Sequence, residues 1–122
     1  MILIDTAVWV DHLRQGNRIL SGFLESGEVL AHPFVIGELA LGEIRQRAAI
    51  INLLSKLPNA CVASHDEVMR FIEQRQLSRR AIGYVDVHLL AAVELTPGAR
   101  LWTYDKRLHR VAEGLGVALS AA

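Results

Sequence analysis

The stretch Met1-Ile2-Leu3-Ile4-Asp5-Thr6 decides how the rest of the chain is read. Three successive aliphatics, two of them β-branched, make a short strand that is apolar on both faces. Such a strand belongs in the middle of a parallel sheet, with helices covering it on either side. A carboxylate and a hydroxyl follow at once, where the strand runs out. Open α/β sheets bind ligands at the carboxyl ends of their strands. Asp5 is therefore a candidate site residue, and Thr6 is placed to cap the helix that starts there.

Working outward, that first helix should run to about Arg14 and break at Gly16-Asn17. A second, Arg18 to about Glu25, carries Ile19, Leu20, Phe23 and Leu24 at helical spacing and ends at Gly27. Glu28 to Ala31 reads as a second strand. Pro33 suits the first turn of a helix reaching about Arg47, and an apolar helix from Ala48 to Leu57 stops at Pro58-Asn59. Asn59 to Ala63 is expected to be a third strand. Ser64 and Glu67 have capping-box spacing ahead of a helix to about Leu77. After a loop from Ser78 to Tyr84, a helix opening at Asp86 ends at Thr96-Pro97-Gly98. Ala99 to Thr103 forms a fourth strand, Asp105 to Glu113 the last helix, and Gly116 to Leu119 a short final strand. Strands separated by one or two helices imply parallel βαβ units, hence an α/β class. At 122 residues the chain is expected to be one domain, 1–122.

Composition narrows the function classes. Hydrophobic residues make up 52% of the chain, enough to fill a core. The 13 basic and 13 acidic side chains cancel, so global charge does not announce nucleic-acid binding. All the bases except Lys56 and Lys106 are arginines, whose guanidinium groups suit phosphate once several acids are sequestered. The single cysteine, Cys61, excludes an intramolecular disulfide and reads as a small buried core residue. No leader or membrane-spanning stretch is evident, and a reducing cytoplasm is the expected compartment.

The acids carry the chemistry. Glu38 has Phe34, Val35 and Leu41 as helical neighbours, which puts it on an apolar face. A carboxylate there is costly unless paired or metal-bound. Asp86 repeats the pattern with Leu89, Leu90 and Val93, although a helix-start Asp favoured by the dipole is the simpler reading of it alone. Asp105 follows an apolar strand and can cap the next helix. Asp11, Asp66 and the remaining glutamates sit among polar residues and read as surface. Asp5 and Asp105 at strand ends, with Glu38 and Asp86 in first helical turns, fall at one edge of a parallel sheet. Two carboxylates at 4 Å repel by about 1 kcal/mol in water and roughly 4 kcal/mol near a protein surface. Convergence therefore calls for a cation, and oxygen-only ligands favour Mg²⁺ or Mn²⁺ over zinc. His12, His32, His65, His88 and His109 form no zinc motif. No Ser-His-Asp signature, phosphate-binding glycine loop or base-stacking aromatic platform is visible, and Trp9 and Trp102 read as core. Arg70, Arg75, Arg79 and Arg80 precede Asp86 and are candidates to receive a nucleic-acid backbone, or else form a solvated helix face and loop.

The strand ending Asp5-Thr6 and running into AVWVD, the Glu38-Leu39 pair, GYVDVHLLAA around Asp86 and LWTYDKRL around Asp105 together resemble a PIN-domain ribonuclease, and specifically the VapC toxins of bacterial VapBC toxin–antitoxin pairs. The resemblance covers essentially the whole chain. It implies a three-layer α/β/α fold with a short, central, mostly parallel sheet flanked by helices. It implies that Asp5, Glu38, Asp86 and Asp105 hold one or two Mg²⁺ or Mn²⁺ ions, with Thr6 and Thr103 as supporting hydroxyls. It further implies cleavage of single-stranded or loop RNA, such as tRNA or rRNA, by metal-activated water to leave 5′-phosphate and 3′-hydroxyl ends. A homodimer and a small VapB-type antitoxin, assembled as a hetero-oligomer, are the implied partners.

Three rival readings remain. A phosphoacceptor receiver domain shares length and an acidic pocket, but it needs paired acids after the first strand and an Asp after a middle one. Asn59-Ala60-Cys61-Val62 supplies no such Asp, and Asp5 has no adjacent acid. The same nuclease fold also suits RNA processing without a toxin role, and the acid pocket also suits a partner-binding surface; sequence does not separate the toxin from the processing reading.

Overall fold

The computed structural model describes residues 1–120. In chain order the elements are β1 (Ile2–Ile4), α1 (Thr6–Gln15), α2 (Arg18–Glu25), β2 (Val29–Leu30), α3 (Pro33–Leu41), α4 (Arg47–Ser55), α5 (His65–Arg75), α6 (Tyr84–Leu95), β3 (Arg100–Trp102) and α7 (Lys106–Gly114). The sheet has the order β2-β1-β3 and is parallel throughout, with Ile2 opposite Val29 and Arg100, and Ile4 opposite Trp102. All three residues of β1 are buried. Side chains alternate across a strand, so both faces of the sheet are covered by helices, giving a three-layer α/β/α arrangement.

Two of the expected strands shrink to single bridges. Ala31 pairs with Asn59 beyond β2, and Leu101 pairs with Ala118 beyond β3, so these segments edge the sheet without forming ladders. The first is tied by the Ala31 amide donating to Pro58 O (2.8 Å) and the Ala60 amide to Ala31 O (2.9 Å), after which the chain turns away. Cys61 is consequently exposed and is not a core residue. The helix expected to reach Arg47 stops at Leu41, capped by Gly42, and Arg47 instead starts α4 after a left-handed Gln46. Glycine is a poor helix former, and here it ends the helix.

The core is a single cluster built from β1, the inner faces of α1, α3 and α7, and above all α6. Every residue from Val87 to Val93 is buried. A helix apolar nearly all round is a central helix, whereas the amphipathic α7 buries only Leu108, Val111 and Ala112. Trp9 and Trp102 are buried, as their apolar settings imply.

His32 is the N-cap of α3, its Nδ1 accepting from the Phe34 amide (3.1 Å). It is fully buried, and its Nε2 has no partner among the described residues. Burial, reinforced by the neighbouring His88, lowers its pKa to about 4. The unfolded state thus binds a proton at a higher pH than the folded state does, so the stability held at neutral pH is lost as the pH falls from about 6.5 through about 4. That loss is on the order of 3 kcal/mol. Urea unfolding at pH 7 and pH 4 should show it, and His32→Asn, which puts a non-titrating capping oxygen in place of the ring nitrogen, should flatten the pH dependence.

Candidate active site

The first helix of the chain is capped by Asp5, not by Thr6. Asp5 lies in extended backbone and its Oδ1 accepts from the Thr6 amide (2.8 Å), so Thr6 is the first helical residue. This correction has a chemical consequence. Freed from capping, the Thr6 hydroxyl donates across to Glu38 Oε1 (2.6 Å). The Asp5 amide donates to Trp102 O (2.9 Å), which locks the end of β1 to the end of β3. Thr103, buried just beyond β3, donates its hydroxyl proton to Asp5 Oδ2 (2.7 Å) and accepts from the Asp105 amide (3.1 Å). Asp105 in turn caps α7, accepting from the Leu108 amide (2.9 Å).

Asp86 arrives from a separate element. Its helix opens at Tyr84, two residues before the expected start, because Gly83 serves as N-cap and the Asp86 Oδ2 reaches back to accept from the Gly83 amide (3.1 Å). The position leaves Asp86 half-buried against the core stretch of α6. Burial raises its pKa, the Gly83 bond opposes that rise, and the negative charges of Asp5, Asp105 and Glu38 add to it. All four acids expected from the sequence therefore share one electrostatic neighbourhood at the carboxyl edge of the sheet.

Glu38 reaches this edge by a different route from the one its neighbours suggest. It lies in the second turn of α3, where of its helical neighbours Val35 is buried, Phe34 is partly covered by His32 and His88, and Leu41 is 91% exposed. Glu38 is itself exposed, so burial in an apolar face does not explain it. What holds it is the Thr6 hydroxyl.

The ion pairs among the described residues are Arg75–Glu94 (3.4 Å) and His109–Glu113 (3.5 Å). Among the described residues, none of the four acids has a Lys or Arg within ion-pair reach. An all-oxygen set of uncompensated carboxylates suits a hard divalent cation and offers nothing to soft-ligand metals. Among the described residues, no three His, Cys, Asp or Glu side chains already close on one point. The edge is an open array, and an ion there would keep coordination sites for water and phosphate, as Mg²⁺ does.

Other assignments shift. Arg75 pairs with Glu94 and lies over the Phe71 ring (5.8 Å), which commits it to the α5–α6 packing. Arg79 and Arg80 are exposed in the loop before α6, where Arg79 and Ala81 adopt left-handed backbone conformations (φ 64° and 60°). Asp11 is not plain solvated surface: it accepts from the Tyr104 hydroxyl (2.8 Å), which lowers its pKa, while Gln15 and Asn17 also donate to it. An aromatic cluster invisible in the sequence also assembles beside the acids. His65, Tyr84, His88, Phe34 and His32 come from three different stretches and meet ring to ring.

Residues 2–114 match the PIN domain, and the chain belongs to that family. It is 48% identical over 120 residues to Ribonuclease VapC32 of Mycobacterium tuberculosis, in strains CDC 1551 / Oshkosh and ATCC 25618 / H37Rv, with 98% of this chain and 97% of each relative covered. Within its family the chain is thus VapC-like. No solved structure matches it significantly.

Two measurements test the geometry. The Asp86 carboxyl, followed by NMR in metal-free protein, should titrate above the ordinary Asp range and move down when Mg²⁺ is added, because a cation favours the charged form. Thr103→Val leaves Asp5 Oδ2 and the Asp105 amide without their shared partner. It should weaken divalent-ion affinity by roughly 10- to 100-fold, while Thr103→Ser retains it.

Proposed function

We propose that the chain is a divalent-metal-dependent endoribonuclease that cuts single-stranded or loop RNA, tRNA and rRNA being the leading candidates. In this reading it is the toxin of a cytoplasmic toxin–antitoxin pair, dimeric, and neutralised in a hetero-oligomer by a small VapB-type protein. The observation that carries the reading is the array itself: Asp5, Glu38, Asp86 and Asp105 stand at one edge of the sheet with no basic partner among the described residues, Thr103 linking Asp5 to Asp105, Thr6 holding Glu38 and the Gly83 amide holding Asp86. The name and full-length similarity of the Mycobacterium tuberculosis ribonuclease support it.

Asp5, Asp86, Glu38 and Asp105 would hold Mg²⁺, or Mn²⁺ in its place. When bound, the ion neutralises charge on the scissile phosphate and makes an attacking water easier to deprotonate, leaving 5′-phosphate and 3′-hydroxyl ends. The chain's own work is positioning. Thr103 fixes Asp5 relative to Asp105, and Thr6 fixes Glu38, so these carboxylates need no reorganisation when substrate arrives. Asp86, whose pKa is raised by burial and by the neighbouring negative charges, is held in its charged form by a cation. Arg79 and Arg80, unpaired among the described residues, supply positive charge for the RNA backbone next to an edge that would otherwise repel it.

Asp86→Ala and Asp5→Asn, the latter keeping a capping oxygen, should abolish Mg²⁺-dependent cleavage of RNA with unchanged circular dichroism; full activity in either variant refutes the assignment. Arg79→Ala combined with Arg80→Ala should weaken RNA binding and make the dependence of affinity on salt shallower, with a slope smaller by about one to two. An unchanged slope removes both residues from the substrate path.

A further inference from the structure

Tyr84 is the first residue of α6 and stands two residues before Asp86. It is 45% exposed, yet it is not free to swing. Its hydroxyl is hydrogen-bonded to His65 Nδ1 (2.6 Å), and its ring meets the His88 ring nearly perpendicularly, with centroids 4.7 Å apart. His88 lies in the buried run of α6 and cannot yield. On its other side His88 meets Phe34 (4.6 Å), which sits one helical turn before Glu38. The exposed part of this cluster is thus bordered by candidate metal-binding carboxylates at both ends, Asp86 from α6 and Glu38 from α3. The loop leading into Tyr84 carries the exposed Arg79 and Arg80.

Along this path a cation, an aromatic ring and a carboxylate follow one another within eight residues of Arg79. That order matches the order of groups in a polynucleotide: a flanking phosphate, a base, and the phosphate to be cut. An exposed ring ordinarily loses rotamer freedom when something stacks on it; here the His65 bond and the His88 contact have already removed that freedom. The charged residues on either side of Tyr84 in the chain suit a single flat base better than an apolar protein segment.

We propose that Tyr84 is a stacking platform for one unpaired RNA base beside the scissile phosphate, with His65 and His88 fixing its ring. This rests on the ribonuclease reading and deepens it. Any base has a π-face, so the platform selects unpaired over paired RNA and does not spell out a sequence.

The test measures binding of a fluorescent single-stranded RNA in EDTA, where no cleavage occurs. Tyr84→Ala should weaken binding at least about fivefold, the lower end for loss of one base stack. Tyr84→Phe keeps the ring but, like His65→Ala, gives up the bond that pins it, so both variants should lose clearly less affinity than Tyr84→Ala. Replacing the bases one at a time by abasic sites should reveal one position at which wild type drops to the level of Tyr84→Ala, and at which Tyr84→Ala loses nothing more. Wild-type affinity in Tyr84→Ala, equal losses in Tyr84→Ala and Tyr84→Phe, or no abasic-sensitive position each overturns the platform. Unchanged RNA affinity together with lost self-association marks the ring as a protein contact and overturns it as well. Should Tyr84→Ala misfold by circular dichroism, His65→Ala and the abasic scan in wild type decide alone. RNA that wild type neither binds nor cuts with Mn²⁺ defeats the ribonuclease reading; RNA cut with Mn²⁺ by Tyr84→Ala at wild-type affinity defeats only the platform.

Discussion

The structure depends on how two adjacent strands end. β1 and β3 are locked side by side by the Asp5 amide on Trp102 O, and one residue later the Thr103 hydroxyl spans the gap to the Asp5 carboxylate. Both atoms of that hydroxyl are used, the proton toward Asp5 and the oxygen toward the Asp105 amide. Two acids that would separate in water are thereby fixed next to each other. The sheet supplies the alignment, since parallel strands deliver their carboxyl ends to one edge. Burial of β1 on both faces supplies the rigidity.

Capping and site chemistry draw on the same atoms. Asp5, Asp86 and Asp105 each accept a backbone amide at the start of a helix, which orients the carboxylate and leaves it beside the positive end of the helix dipole. An amide bond of this kind favours the charged form, but at Asp86 burial and three like charges outweigh it and raise the pKa. An edge arranged this way is poised for a cation and carries no basic side chain to take its place. In the proposed function, the repulsion built into the array is what a bound divalent ion would relieve.

The aromatic cluster shows a second use of the core. α6 is buried through seven consecutive residues, and His88 is carried inside with them. An imidazole trapped there makes a firm backing for rings that reach the surface, Tyr84 on one side and Phe34 on the other. The same burial keeps His32 neutral over the physiological range. Packing demanded by the core therefore sets the orientation of exposed groups next to the candidate site.

Much was legible in the sequence because it rests on local rules. The apolar run of Ile2 to Ile4, the Ser64–Glu67 capping box and the strand–acid junctions at Asp5 and Asp105 specify their structures over a few residues, and the α/β class follows from their order. Where local rules compete, tertiary structure decided. Asp5 rather than Thr6 takes the cap because it stands in extended backbone just before the helix, where one carboxylate oxygen accepts from the Thr6 amide while the other is claimed by Thr103, across 98 positions of sequence. Glu38 looked core-facing from its neighbours, yet Leu41 faces outward, and only the fold brings Thr6 to hold it. Asn59 to Ala63 has strand-like residues but makes a single bridge, since pairing needs a partner edge that ends there. The rings around Tyr84 come from segments too far apart for any periodicity to join. Sequence by itself determined which acids stand at the ends of which elements; the tertiary structure alone decided what each one touches, because those contacts are made between strands and helices that meet only once the sheet has formed.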